Sequence, residues 1–355
     1  MPDPSVPPTP PRPPSPLQQA LATLANRQSL SAELATEVFG AVMQGEASPA
    51  QIGALLMGLR AKGETPDEVA GAARALRAAM VRVQAAAAPL VDTCGTGGGA
   101  VPTFNISTVA AFVAAGAGAI VAKHGNRSFT SRCGSADVLE ALGVRITLDA
   151  GGAARVLREA GVVFLFAPNF HPAMRHVGPV RRELGVPSVM NLLGPLANPA
   201  GARRQVIGVA DPDRAPLMAA ALARLGTEHA LVVHGRIGMD EISPEGLTDV
   251  WEIRAARVTT WQLDPAEFDL AAAAGALRGG EPAENAARVE GILSRNGHDA
   301  SGRAAVILNA GAAIYVAGLV SSFGAGVQRA AEALAFGLGR EALERLRRAS
   351  ASTSG

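Results

Sequence analysis

A run of glycines set between an apolar strand and a buried helix constrains this chain more than any other feature. PLVDTC leads into GTGGGAVPTFNIST, then VAAFVAAG, then AIVAKH, all between Pro89 and His124. Strand, loop, apolar helix and strand in that order are α/β grammar, with ligands expected at the carboxyl ends of the strands. Gly95, Gly97, Gly98 and Gly99 let the backbone approach an anion closely and aim its N–H groups inward. Asn105, Ser107 and Thr108 fall at the start of the apolar helix, where unpaired N–H groups and the positive end of the dipole favour a phosphate. Lys123 and His124 end the next strand and add one firm positive charge and one conditional one. A single element of this kind suits an ordinary turn or cap as well as a ligand. The three together suit a ligand carrying several phosphates.

Two familiar phosphate motifs do not apply. The Walker pattern needs Gly-Lys-Ser/Thr, and this loop has no lysine. Gly95-x-Gly97-x-x-Ala100 fits the relaxed dinucleotide fingerprint, but that motif wants an acid at the tip of the following strand. Here the strand ends in Lys123-His124, which suits a phosphate and not a ribose diol, so NAD binding is rejected.

The same alternation continues from Pro89 onward. VRITL, VVFLFAP, QVIGVA, HALVVHG and DVWEI read as further strands, with helices at 150–161 and 216–225 between them and two helical stretches, AAVILNAGAAIYVAG and AGVQRAAEALAFGL, closing the chain. With 40 glycines and an aliphatic, alanine-rich composition, close-packed helices on a mostly parallel sheet are expected. Residues 17–85 read differently. Ser31, Ser48-Pro49 and Thr65-Pro66 each open a helix, and Ile52, Leu55, Leu56 and Leu59 line one face of the second of these. The expected organisation is therefore a disordered proline-rich tail over 1–16, a small helical domain over 17–85, an α/β domain over 86–348 and a loose end over 349–355.

Composition excludes several classes. A net charge of +1 gives no broad field for nucleic acid or an anionic membrane, and 4% aromatics argue against a base-stacking platform. The longest apolar run, Val109 to Ala122, is too short to span a bilayer. Two cysteines, Cys94 and Cys133, imply no disulfide framework and fit a reducing cytoplasm. No HxxxH or CxxC spacing suggests zinc.

A second half of the site is legible further on. FAPNFHPAMRHVGPVRRELGVPSVMNLLGPLANP, over 166–199, carries Arg181, a planar fork for a carboxylate. Arg182 beside it should point elsewhere on a helix, and both could equally be solvated. The NLLGPLANP segment reads as a rigid apolar turn able to wall an aromatic ring, or as a loop between helices. Asp240-Glu241, just after the strand HALVVHG, suits a hard divalent cation, although two adjacent acids also suit a surface loop.

Taken in order, GTGG…TFNIST, KHGNR, GSAD, HPAM…VR, NLLGPLANP and DEISP make the chain resemble the anthranilate phosphoribosyltransferase family from about Leu17 to Leu346. That resemblance implies a homodimer with a nucleoside phosphorylase-like fold and a hinged cleft, its small domain completed by helices from about 170–195. It implies transfer of the phosphoribosyl group of phosphoribosyl pyrophosphate to the amine of anthranilate, with Mg2+. Carried over by position, Gly95, Thr96, Gly97, Gly98, Thr103, Asn105, Ser107, Thr108 and Lys123 correspond to contacts of the sugar donor. Ser107, Asp240 and Glu241 correspond to magnesium ligands, and His124, Asn126, Arg181 and Pro195 to anthranilate contacts. Ser135 is a further hydroxyl of the ligand shell. His124 is expected to position substrate rather than act as a base. The chain departs from the family at Gly99-Ala100-Val101-Pro102, where an acid is usual at 99, which implies altered magnesium dependence with activity retained. Rival readings are a nucleoside phosphorylase of related fold and a non-catalytic nucleic-acid-binding homologue. NLLGPLANP and DEISP argue against the first, and the balanced charge against the second.

Overall fold

The structure is a computed structural model that describes residues 14–85, 89–128 and 132–352. Most of the proline-rich tail and the last three residues lie outside the described residues. Pro16, placed in the tail by the sequence, instead opens a helix that Ser15 caps.

Four helices come first: α1 (Pro16–Ala25), α2 (Ala32–Gln44), α3 (Pro49–Lys62) and α4 (Pro66–Ala79). Each begins where a hydroxyl satisfies an otherwise unpaired N–H group. The Ser48 hydroxyl accepts from the Gln51 N–H at 3.3 Å, and Thr65 does the same for Glu68. The α/β part then runs β1 (Leu90–Gly95), α5 (Ile106–Gly116), β2 (Ile120–Gly125), α6 (Ser135–Ala141), α7 (Ala150–Ala160) and β3 (Val162–Phe166). The chain continues through α8 (Ala167–Phe170), α9 (Met174–Leu184), α10 (Met190–Leu196), β4 (Arg204–Gly208), α11 (Ala215–Arg224) and β5 (His229–Gly235). It ends with β6 (Thr248–Arg254), β7 (Arg257–Leu263), α12 (Pro282–Leu293), α13 (Ala300–Ala317), α14 (Phe323–Ala335) and α15 (Leu338–Ala351).

The seven strands form one sheet in the order β3-β2-β1-β4-β5-β6-β7. The first five are mutually parallel, while β6 and β7 are antiparallel additions. From β1 the chain steps outward to β2 and β3, then returns to lay β4 on the other side of β1. The order reverses between β1 and β4, and a crevice at the carboxyl ends of strands is expected there.

VRITL does not form a strand. Val144, Ile146 and Leu148 are buried in an irregular segment that joins no strand ladder among the described residues. The edge strand β7 was not foreseen, because most of its residues are exposed and show no apolar alternation. The final helix α15 was also missed, and it runs through Ala351 with Ala349 and Ser350 buried. The stretch expected to be loose from 349 is therefore folded to 351.

The apolar core divides by sheet face. One cluster packs α5, α13, α14 and α15 over β1, β2 and β3. The other joins α1–α4, α9 and α10 to α11, to Ile207, Ala230 and Val232 of the sheet and to Val209 just after β4. α13 is long and apolar enough to cross a membrane, yet most of it is buried as a core helix. Small residues permit its close packing: a Cβ on Gly326 would lie 2.3 Å from the Gly311 carbonyl oxygen.

Candidate functional site

At the reversal point the ends of β1 and β4 are both glycine, and Gly95 and Gly208 are register partners. That bare backbone seats Asp240. A Cβ on Gly208 would meet the Asp240 carbonyl oxygen at 1.6 Å, and one on Gly95 would meet Asp240 Oδ2 at 2.5 Å. The turn carrying Asp240 and Glu241 is fixed from beneath. Gly235 N–H donates to the Met239 carbonyl at 2.9 Å, and Ile242 N–H donates to Asn309 Oδ1 at 3.0 Å. The acids are thus built into the crevice rather than carried on a free surface loop.

The glycine loop closes over this turn. Gly97 and Gly98 both have positive φ, 69° and 80°, which other residues adopt only with strain. Gly97 N–H donates to Asp240 Oδ2 at 2.8 Å, and Ala100 N–H to the Gly238 carbonyl at 2.9 Å. Thr96 N–H donates to the Gly208 carbonyl, and the Thr96 hydroxyl accepts from Ala210 N–H. Farther on, Thr103 bridges Arg278, and the Pro102 carbonyl accepts from Gly279 N–H at 3.1 Å. The unusual Gly99–Pro102 segment is therefore tied down at both ends.

α5 begins at Ile106, as its apolar run requires, but Asn105 does not cap it with its side chain. That amide instead donates to the Cys133 carbonyl and accepts from Asn285 Nδ2 at 3.0 Å. In the first turn, the half-buried Ser107 N–H donates to Glu241 Oε1 at 3.1 Å. The Thr108 hydroxyl is in a different place from the one expected. It is buried without a hydrogen-bond partner, beside a small internal void lined by Phe112, Leu139 and Val163. Thr108 faces the core because it lies one position beyond Ser107 on the helix, about 100° around the axis.

Lys123 and His124 lie inside β2 and are buried, not at an exposed strand tip. Successive strand residues face opposite sides of a sheet, and these two serve different neighbours. Lys123 Nζ donates to the Thr93 carbonyl and to Ser107 Oγ, the latter at 3.1 Å. Burial lowers its pKa, while the charges of Asp92, Glu241 and Asp240 oppose that shift. His124 pairs through Nδ1 with the Gly194 carbonyl at 3.1 Å and through Nε2 with His171 Nε2 at 3.2 Å. Burial, with His171 next in importance, pushes its pKa down to about 3. It is therefore neutral at pH 7.

Beyond His124 opens a cleft of about 860 Å³. His124, Asn126, His171, Arg175, Arg181 and Asn191 supply polar groups to its lining. α9 brings the arginines, and it docks closely on α2: a Cβ on Gly45 would lie 2.6 Å from the His176 ring. Arg181 is half-buried, and desolvation lowers its pKa. Arg182 also lines the cleft, contrary to expectation, because its long stem folds back along the helix toward Gly178. NLLGP is helical, forming α10, rather than a turn. Within α10, Gly194 reaches the cleft but Pro195 does not. Pro195 is buried and its carbonyl is held by Gln205 Nε2 at 2.8 Å. Ser135 donates from its hydroxyl to the Asn126 carbonyl at 3.2 Å and so shapes the turn after β2. Arg127 in that turn is paired with Asp137 and Glu140, which takes its charge out of the cleft.

Sequence reasoning missed Asp92, Asn198 and His171 as organisers of the site. Buried Asp92 accepts from His124 N–H at 3.0 Å and from Asn198 Nδ2 at 2.8 Å, which ties β1, β2 and the segment after α10 together. A lone acid inside the apolar strand LVDTC was the available signal. His171, the histidine of HPAM, was visible only as a motif letter.

Asp240 and Glu241 are half-buried and adjacent, and burial raises both carboxyl pKa values. For Glu241, burial and then Asp240 push the value up to about 8. Among the described residues, no group of three or more His, Cys, Asp or Glu converges on a point. Two carboxylates and a serine hydroxyl form a hard-oxygen set that leaves room for water and phosphate oxygens, which fits magnesium. A dication there would also relieve the repulsion that Asp240 and Glu241 impose on one another.

Known proteins match the chain along nearly its whole length. Residues 18–80 match the glycosyl transferase family, helical bundle domain, and residues 87–340 match the glycosyl transferase family, a/b domain. The anthranilate phosphoribosyltransferase of Roseiflexus sp. (strain RS-1) is 51% identical over 93% of this chain and 97% of its own length. The crystal structure of anthranilate phosphoribosyltransferase (TrpD) from Thermus thermophilus superposes with a TM-score of 0.88. It is 44% identical and covers 94% of this chain and 99% of that one. Anthranilate phosphoribosyltransferase from Saccharomyces cerevisiae in complex with PRPP and Mg gives a TM-score of 0.86 at 27% identity, covering 95% of this chain and 98% of that one.

Proposed function

This chain belongs to the anthranilate phosphoribosyltransferases, and on that premise we propose how its residues divide the work. The reaction moves the phosphoribosyl group of phosphoribosyl pyrophosphate onto the amine of anthranilate, releasing pyrophosphate, in tryptophan biosynthesis. One observation carries the division of labour. Consecutive residues of β2 serve two limbs, Lys123 on the glycine-loop side and His124 on the cleft side.

On the first limb, Gly95–Gly98, the Ser107 N–H at the start of α5 and Lys123 receive the pyrophosphate end of the donor. Thr96, Thr103 and Asn105 hold that limb in shape. The positive end of α5 and the Lys123 ammonium oppose the charge that gathers on the leaving group as the bond to the ribose breaks. Asp240, Glu241 and the Ser107 hydroxyl would hold Mg2+, which when bound would offset further charge on the leaving group.

On the second limb, Arg181 engages the anthranilate carboxylate, and Asn126 and His124 align the ring and its amine. The amine is neutral at pH 7, and its lone pair attacks the anomeric carbon as the bond from that carbon to pyrophosphate breaks; the proton the nitrogen then sheds passes to the released pyrophosphate or to water. His124 is neutral as well, with both ring nitrogens engaged, so it orients rather than removes a proton. Excluding water from the cleft protects the sugar donor from hydrolysis. Magnesium dependence, assembly as a homodimer and a cytoplasmic location complete the reading. The two cysteines, both buried and neither in a disulfide among the described residues, support the last.

Mixing the protein with phosphoribosyl pyrophosphate, magnesium and anthranilate should quench anthranilate fluorescence, with pyrophosphate released in step. Phosphate-dependent release of a base from a nucleoside, without that quenching, would favour a phosphorylase instead.

A further inference from the structure

The two carboxylates of the cation pair are bonded to the backbone donors that a pyrophosphate group needs. Asp240 Oδ2 accepts from Gly97 N–H at 2.8 Å, and Glu241 Oε1 from Ser107 N–H at 3.1 Å. One donor belongs to the glycine loop and the other to the first turn of α5. They lie in different elements, yet the same two neighbouring acids cover both.

The backbone of the acidic turn cannot withdraw. It is wedged against Gly95 and Gly208 and held by the bonds of Gly235 and Ile242. Only the side chains can move, and rotation about the side-chain bonds is a low-barrier change. An anion that arrives without a cation therefore meets two donors already occupied by the acidic pair. A divalent cation offers the carboxylates new partners and so frees Gly97 N–H and Ser107 N–H.

We infer that Asp240 and Glu241 form an exchange latch, passing from these backbone donors to the cation, so that the cation and the pyrophosphate group of the donor bind as a coupled pair. The inference rests on the proposed assignment of this limb to pyrophosphate and magnesium. It adds a second role for the acids, as competitors of the substrate in the absence of metal. Coupling of this kind is reciprocal, so pyrophosphate also tightens the cation.

The test is calorimetric titration of inorganic pyrophosphate into the full-length protein, first with a chelator and then with magnesium. Without metal, Asp240→Ala and Glu241→Ala should each bind pyrophosphate about tenfold or more tightly than the wild type, the value of one charge-assisted bond. Asp240→Asn loses the charge but keeps a carbonyl that can accept from Gly97 N–H, so it should gain less than Asp240→Ala. The two alanine variants free different donors, and either one alone decides the question if the other fails to fold. Equal metal-free affinity across wild type and variants, including none in any of them, would overturn the latch. So would an asparagine variant that matches alanine, since charge alone would then account for the gain. A wild type that binds no pyrophosphate even with magnesium would overturn the assignment of the limb itself, and the latch with it.

Discussion

Gly208 shows how little space separates substrate chemistry from backbone packing in this protein. With a Cβ there only 1.6 Å from the Asp240 carbonyl, Gly208→Ala must displace the acidic turn. The substitution should raise the magnesium concentration needed for half-maximal turnover by about tenfold or more, in keeping with loss of one charged contact; an unchanged magnesium titration would remove Asp240 from the cation site. The histidine pair makes a second residue-scale prediction. Burial holds His124 at about 3 and His171 at about 4, below the usual 6.5. Between those values the unfolded chain binds protons that the folded chain does not. Stability from the pair is therefore complete above 6.5 and is lost progressively as pH falls, to about 4 for His171 and about 3 for His124. The urea midpoint should decline from about pH 6.5 downward, and His171→Asn should flatten that decline. An identical slope in the variant would contradict the assignment. At this scale the residue types of the site were readable from the sequence, but not their orientation. Thr108 and Pro195 stand in the right motifs yet face the core, because helix phase and the Gln205 bond turn them inward. Asp92 is one residue in an apolar strand, and only the fold reveals that it joins β2 to the segment after α10.

At the scale of elements, legibility followed periodicity. Capped helices such as α3 and α4 begin, and apolar parallel strands such as β4 and β5 begin and end, close to where the sequence places them. VRITL carried a strand's alternation but joins no strand among the described residues. β7 had a partner but no alternation, since an exposed edge needs no buried face. Side chains from distant segments hold that edge in place. Phe323 packs edge-on to Trp261 and Phe268 at 5.6 and 5.5 Å. Glu252 of β6 gathers His229, Trp261 Nε1 and the Tyr315 hydroxyl within 3.1 Å. Phe323→Ala should cost roughly 3 kcal/mol, as truncation of a packed phenylalanine does, with little change in KM for either substrate. Urea denaturation and steady-state kinetics would check this. A change in either KM beyond about threefold would mean that the antiparallel edge reaches the site, whereas ordinary surface substitutions stay near ±0.5 kcal/mol.

At the scale of the whole molecule, the sequence divides at Pro89 but the core does not. α4 and α11 share an apolar cluster across that boundary, reinforced by Arg224 Nε on Asp67 at 2.6 Å. The segments between the helical body and the sheet are also tied to one another, Val81 to Phe170 at 2.8 Å and Val83 to Pro199 at 3.0 Å. These links place α9 and α10 over the carboxyl ends of the strands, so that the cleft opens on the opposite side of β2 from the glycine loop. The central claim is that the two limbs hold different substrates and meet at Lys123-His124. Separate KM measurements for both substrates in Arg181→Ala and Gly208→Ala test it most directly. Arg181→Ala should raise KM for anthranilate or lower the corresponding kcat/KM by about one to two decades, equivalent to about 1.5–3 kcal/mol, and leave phosphoribosyl pyrophosphate unaffected. Gly208→Ala should do the reverse. Equal damage to both substrates in both variants would contradict a two-limbed site.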